Sequence, residues 1–186
     1  MKRASKNLVN DRDAHLLANF EKGIAPPDGF HHRDHVLVAF LYLQKYPATE
    51  ALARFAAALQ NFARANGKPQ LYHETITWAY IALIHQRMTL ELISEKSASP
   101  AQASTVSEKS QANAAASGNS ESDTSDPTAH SINSLNWENF SAHNPDLFEP
   151  KNAAIARLYR PETLNSALAK KVFVLPDLPP TPHQPR

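Results

Sequence analysis

A chain of 186 residues has the length of one domain, or of one domain with unstructured additions. Its 42% hydrophobic share and 14 prolines fall a little short of a uniformly globular composition, and a net charge of +1, from 19 basic and 18 acidic side chains, creates no overall field toward nucleic acid or an anionic membrane. Without cysteine there is no disulfide, thiolate ligand or cysteine nucleophile, so any bound metal must use nitrogen and oxygen donors.

Met1-Lys2-Arg3 is followed by Ala-Ser-Lys-Asn rather than by the apolar run of roughly 7 to 15 residues that a secretory signal needs. The most apolar stretch, 36–43, is far shorter than the roughly 20 residues that span a bilayer. A cytoplasmic location and no membrane partner are the resulting expectations.

Asp11 or Asp13 can cap a first short helix bearing Leu16, Leu17 and Phe20, which Gly23 ends. After the turn Ala25-Pro26-Pro27-Asp28-Gly29, a second helix is predicted over 31–45. It stops at Tyr46 because a residue before proline avoids helical geometry. Val36, Leu37, Val38, Ala39, Phe40, Leu41, Tyr42 and Leu43 make this helix apolar on every side, the mark of a buried helix. The third, over 49–65, sets Leu52, Phe55, Leu59 and Phe62 at helical spacing opposite Arg54, Asn61 and Arg64, and reads as amphipathic. A fourth and longest begins near 72–74 and runs to about residue 96, carrying Trp78, Tyr80, Ile81, Ile84, Met88 and Leu92.

Over 97–134 the chain changes character: 11 of 38 residues are serine, none is aromatic, and Val106 and Ile132 are the only large aliphatics. Too little apolar surface is available there to offset the entropy of ordering, so a disordered insertion is predicted. Order should resume at 135 with Trp137, Phe140, Leu147 and Phe148 as anchors, followed by short helices near 152–159 and after Pro161. The stretch 167–174 can be helical or extended, and five prolines over 175–186 predict an extended tail. The expectation is an all-α fold: a bundle of about four main helices plus short C-terminal ones, with 1–96 and 135–177 forming one domain around the 97–134 insertion, and 178–186 as tail.

Chemistry concentrates at two helix starts. Phe30-His31-His32-Arg33-Asp34-His35 puts His32 and His35 three apart on one helical face, the geometry of a two-nitrogen metal clamp. Tyr72-His73-Glu74-Thr75 opens the longest helix. If both helix starts meet, His32, His35 and His73 form a three-nitrogen site for a divalent transition metal such as Zn, Fe or Mn. Glu74 is the natural carboxylate, as ligand, general base or orienting partner, and Asp34 ranks after it because it points about 100° away from His35 around the helix. His31 reads as solvated and His85 as a structural histidine. Tyr42 and Tyr80 can line a pocket floor or pack in the core.

The two motifs, Phe30-His31-His32-Arg33-Asp34-His35 and Tyr72-His73-Glu74-Thr75-Ile76-Thr77, resemble those of a small bacterial family without assigned function. The resemblance covers 20–92 and, more faintly, 137–177, so it implies domain boundaries and no chemistry.

Three functions of different classes follow. A metal-dependent protein acting on a small molecule uses His32, His35, His73 and Glu74. A metal-free enzyme uses His73 with Glu74, or His35 with Asp34, as acid and base. A binding or regulatory module exploits the tight Tyr46-Pro47-Ala48 junction, although Arg54 and Arg64 are too few for a nucleic-acid partner. No Gly-x-Ser-x-Gly elbow or glycine-rich phosphate loop is present.

Overall fold

The computed structural model describes residues 11–98, with side chains through Ser94, and residues 132–149 and 153–179. Among them the chain is all-α: eight α-helices, two 3-10 turns and no strand.

Helix α1 (Asp11–Glu21) leads through the Pro26-Pro27 turn to α2 (His32–Lys45), the centre of the domain. All eight residues from Val36 to Leu43 are buried, because α2 packs on α1, α3 (Ala48–Ala65), α4 (Glu74–Ala98) and the 3-10 turn Pro145–Phe148. Tyr46 ends α2 in extended geometry (φ −132°, ψ 152°), as its place before Pro47 requires. Phe20 of α1 stacks on Phe30, Phe55 and Phe62 with centroids 5.1–5.9 Å apart, tying three elements together.

Gly23 sets the approach of α1 to α3. Its φ of +73° favours glycine, and a Cβ there would lie 2.7 Å from that of Ala65. The Asn66 side-chain amide donates to the Gly23 carbonyl at 3.0 Å and to that of Phe62 at 2.8 Å, joining the end of α1 to the end of α3.

The C-terminal residues wrap the start of α4. Helix α5 (Trp137–His143) is capped by the Asn136 carboxamide oxygen, which accepts from the Glu138 and Asn139 amides at 2.8 and 3.0 Å. After α6 (Ala153–Ala156), α7 (Pro161–Asn165) and α8 (Ala167–Lys171), the chain runs extended along α4. There Phe173 stacks on Trp78 at 5.2 Å, Thr75 bonds both Val172 and Val174, and the Tyr159 hydroxyl donates to the Val174 carbonyl at 2.8 Å. Asp177 accepts from the Arg160 amide and the Thr163 hydroxyl, and both bonds hold its carboxyl below the usual range.

Most of the predicted insertion lies outside the described residues, as do the first ten residues and 180–186 of the tail. Its predicted edges are overrun from both sides: α4 continues through Ala98, and Ile132, assigned from sequence to the insertion, is 5% exposed in the core beside Leu135.

Candidate functional site

Each histidine motif sits at a helix start, where four backbone amides lack partners inside the helix. In α2, His31 occupies the extended N-cap position, and the Asp34 carboxylate accepts its amide at 2.8 Å. Asp34 is therefore a capping residue. His31 is exposed, with Nε2 donating to the Asp28 carbonyl at 2.8 Å.

His73 performs the corresponding task for α4. Its Nδ1 accepts the Ile76 amide at 3.3 Å and its Nε2–H donates to the Leu164 carbonyl at 2.8 Å. A carbonyl only accepts and an amide only donates, so the two bonds fix a neutral ring with its proton on Nε2. Glu74 is equally engaged: Oε2 accepts from the Tyr72 hydroxyl at 2.7 Å and Oε1 from the Trp78 indole at 2.8 Å. Burial first, then Glu74, pushes Tyr72 up to about 12.

His32, His35 and His73 nevertheless line one cavity of about 400 Å³ between the loop before α2 and the loop before α4. Phe30, Phe55, Leu59, Phe62, Ile76 and Ile84 supply apolar walls, and among the described residues no aspartate or glutamate, Asp34 and Glu74 included, lines it. Tyr80 and Lys68 line it too. Tyr42 does not: its hydroxyl bonds Glu21 at 3.3 Å and its ring packs on Phe20, Tyr46 and Phe55. His85 is half-buried and away from the cavity.

The three imidazoles differ in what they leave free. His32 donates Nε2–H to the Leu147 carbonyl at 2.8 Å, and its Nδ1 has no partner among the described residues. Neither ring nitrogen of His35 has a hydrogen-bond partner among them, and its ring meets the Phe30 edge at 4.5 Å. Burial, reinforced by His32 and partly opposed by Asp34, lowers His35 to about 4. His35 is thus a neutral imidazole at pH 7, able to donate through one nitrogen and accept through the other, and weakly basic for proton abstraction. The Tyr80 ring stands 5.1 Å from that of His32, and its buried hydroxyl has no partner among the described residues.

No group of three or more histidine, aspartate or glutamate side chains is placed to hold a metal ion among the described residues. Both nitrogens of His73 meet backbone groups, so of the three predicted ligands His32 and His35 are those with a nitrogen unbonded among the described residues. No helix among those residues is long and apolar enough to cross a membrane. On α3, Arg54 bonds Glu50 at 2.7 Å and lies over the Tyr46 ring at 4.5 Å, and Arg64 bonds Asn61 at 2.8 Å, so both of its cations already have partners.

Comparison with known protein families, with curated proteins and with solved structures finds no match to the chain. Sequence reasoning missed Lys68, Asn66, Tyr72 and Thr77 as lining residues. Tyr72 and Thr77 flank His73 at helical and pre-helical spacing, a readable signal, whereas Lys68 and Asn66 come from a loop whose path only the fold defines.

Proposed function

We propose that the chain binds a small, mostly apolar molecule in this cavity and recognises one polar group of it through His35 and His32. The observation that carries the reading is His35, a neutral imidazole with both nitrogens unpartnered among the described residues, on the wall of a largely apolar cavity. Small-molecule sites combine apolar walls with a few polar groups in this way, at volumes of roughly 300 to 1,000 Å³. A ligand carbonyl can accept from the His35 N–H, and a ligand hydroxyl can either accept from that N–H or donate to the bare ring nitrogen.

The test is thermal unfolding of the wild-type chain and of Leu59→Trp, which fills the cavity, with linear alcohols of about six to twelve carbons. Ligand at about 100 times its Kd stabilises a protein by about 2.7 kcal/mol, which raises Tm by several degrees. A saturable rise in the wild type that Leu59→Trp loses is expected. No saturable rise with any alcohol would sink the reading.

The second reading is a divalent transition metal, Zn, Fe or Mn, on His32 and His35. What favours it is the His32 Nε2–H bond to the Leu147 carbonyl, the kind of contact that orients a metal-binding imidazole and leaves its other nitrogen free. Ligand or water oxygen would complete the shell. Elemental analysis of untagged protein prepared without chelator should then find about one equivalent, lost in His35→Ala and kept in Glu74→Gln; metal-free protein after reconstitution would exclude it.

A further inference from the structure

We infer that the molecule this cavity takes is an organic monocarboxylate, with its carboxylate at Lys68 on the rim and an uncharged oxygen group at His35 inside. The inference rests on the reading of the cavity as a binding site and adds the charge and class of its ligand.

Charge is distributed unevenly around the cavity. No aspartate or glutamate among the described residues lines it. The two nearest in sequence to the histidines are occupied elsewhere: Asp34 accepts the His31 amide, and Glu74 holds Tyr72 and Trp78. Lys68 is the one lysine or arginine on the wall among the described residues. Arg54, Arg87 and Arg157 all form ion pairs, whereas Lys68, exposed at the rim, forms none among the described residues. Both α2 and α4 begin with residues that line the cavity, His32 and His35 in α2 and His73 just before α4. An anion entering meets one full positive charge and no carboxylate.

The rim also selects against small hydrophilic anions. Leu71 lines the cavity while 70% exposed, and its amide donates to the Lys68 carbonyl at 3.0 Å, so a cationic and an apolar residue neighbour each other along the lining. That pairing suits a carboxylate attached to a hydrocarbon body. A single lysine matches one negative charge; a phosphate dianion or dicarboxylate would call for further cationic donors.

The experiment is isothermal titration calorimetry with 10-hydroxydecanoate and with 1,10-decanediol, which differ only in carboxylate against hydroxymethyl. The hydroxy acid should bind the wild type about fivefold or more tightly than the diol, and a rise in salt from about 0.05 to 0.5 M should weaken the acid alone. Lys68→Glu should weaken the acid about tenfold and leave the diol within about twofold. If Lys68→Glu loses helical circular dichroism, Lys68→Gln decides, with about threefold expected for the acid alone. Equal binding of acid and diol, or no effect of either Lys68 variant on the acid, overturns the monocarboxylate while leaving the binding site intact. Binding of neither probe to the wild type overturns both.

Discussion

His73 at the start of α4 donates its Nε2–H to the carbonyl of Leu164, 91 residues further along the chain, at 2.8 Å. His32 at the start of α2 does the same to Leu147, 115 residues away, at 2.8 Å. The residues that follow the serine-rich stretch thus supply carbonyls that hold the rings of two histidines preceding it, while the residues lining the cavity all lie between Ala25 and Ile84.

His73→Ala should cost about 1–2 kcal/mol, since it removes both an N-cap contact and a long-range hydrogen bond. His73→Asn can still cap the Ile76 amide but cannot keep the contact to Leu164, so it should recover part of that loss. Urea unfolding of the two variants measures the difference. An alanine variant as stable as the wild type would mean that neither bond contributes.

Thr75 is fully buried, and its hydroxyl donates to the Val172 carbonyl at 2.8 Å while accepting the Val174 amide at 3.1 Å. Thr75→Val keeps the volume and leaves both backbone groups without that partner, at a cost of roughly 1–3 kcal/mol for each one that water cannot reach. Thr75→Ser retains the hydroxyl and should lose less. Hydrogen exchange at Val174 should accelerate in the valine variant and stay slow in the serine variant.

Burial lowers His35 to about 4 in the folded chain, against 6.5 for the free side chain. The unfolded chain therefore takes up a proton at a higher pH than the folded one, and the contribution of His35 to stability is complete above about 6.5 and is lost as pH falls toward about 4. The full shift corresponds to at most about 3 kcal/mol. His35→Leu should flatten the stability profile in that window relative to the wild type. Parallel profiles for the two proteins would show that His35 is not kept neutral by the fold.

Much of the core was legible because the relevant signal is local. The apolar residues Val36 to Leu43 fill every side of α2, and all eight are buried; Leu52, Phe55, Leu59 and Phe62 turn one face of α3 inward. The sequence made a meeting of His32, His35 and His73 conditional on the two helix starts coming together, and in the fold all three line one cavity. The tasks of Asp34 and Glu74 were written locally too, as an N3 carboxylate and an i,i+4 pair with Trp78, yet both were read as chemistry. Leu147 and Leu164 could not be found this way, because a backbone carbonyl has no sequence signature and any residue at those positions would present one.

Tyr80 is the most informative single substitution at the cavity. Its hydroxyl is buried without a partner among the described residues, and burial, with Asp146 adding to it, pushes its pKa up to about 12, so it is a neutral phenol throughout the working range. A buried hydroxyl with no partner bears its desolvation cost uncompensated, whereas phenylalanine has nothing to desolvate. Tyr80→Phe should therefore leave stability unchanged or raise it by about 1 kcal/mol, with the ring still against His32. A loss of about 1 kcal/mol or more in urea unfolding would mean that the hydroxyl is satisfied in solution, by ordered water or by a retained molecule. Repeating the measurement on protein unfolded, extracted with organic solvent and refolded separates the two: water would return and keep the tyrosine advantage, and a retained molecule would be lost along with it.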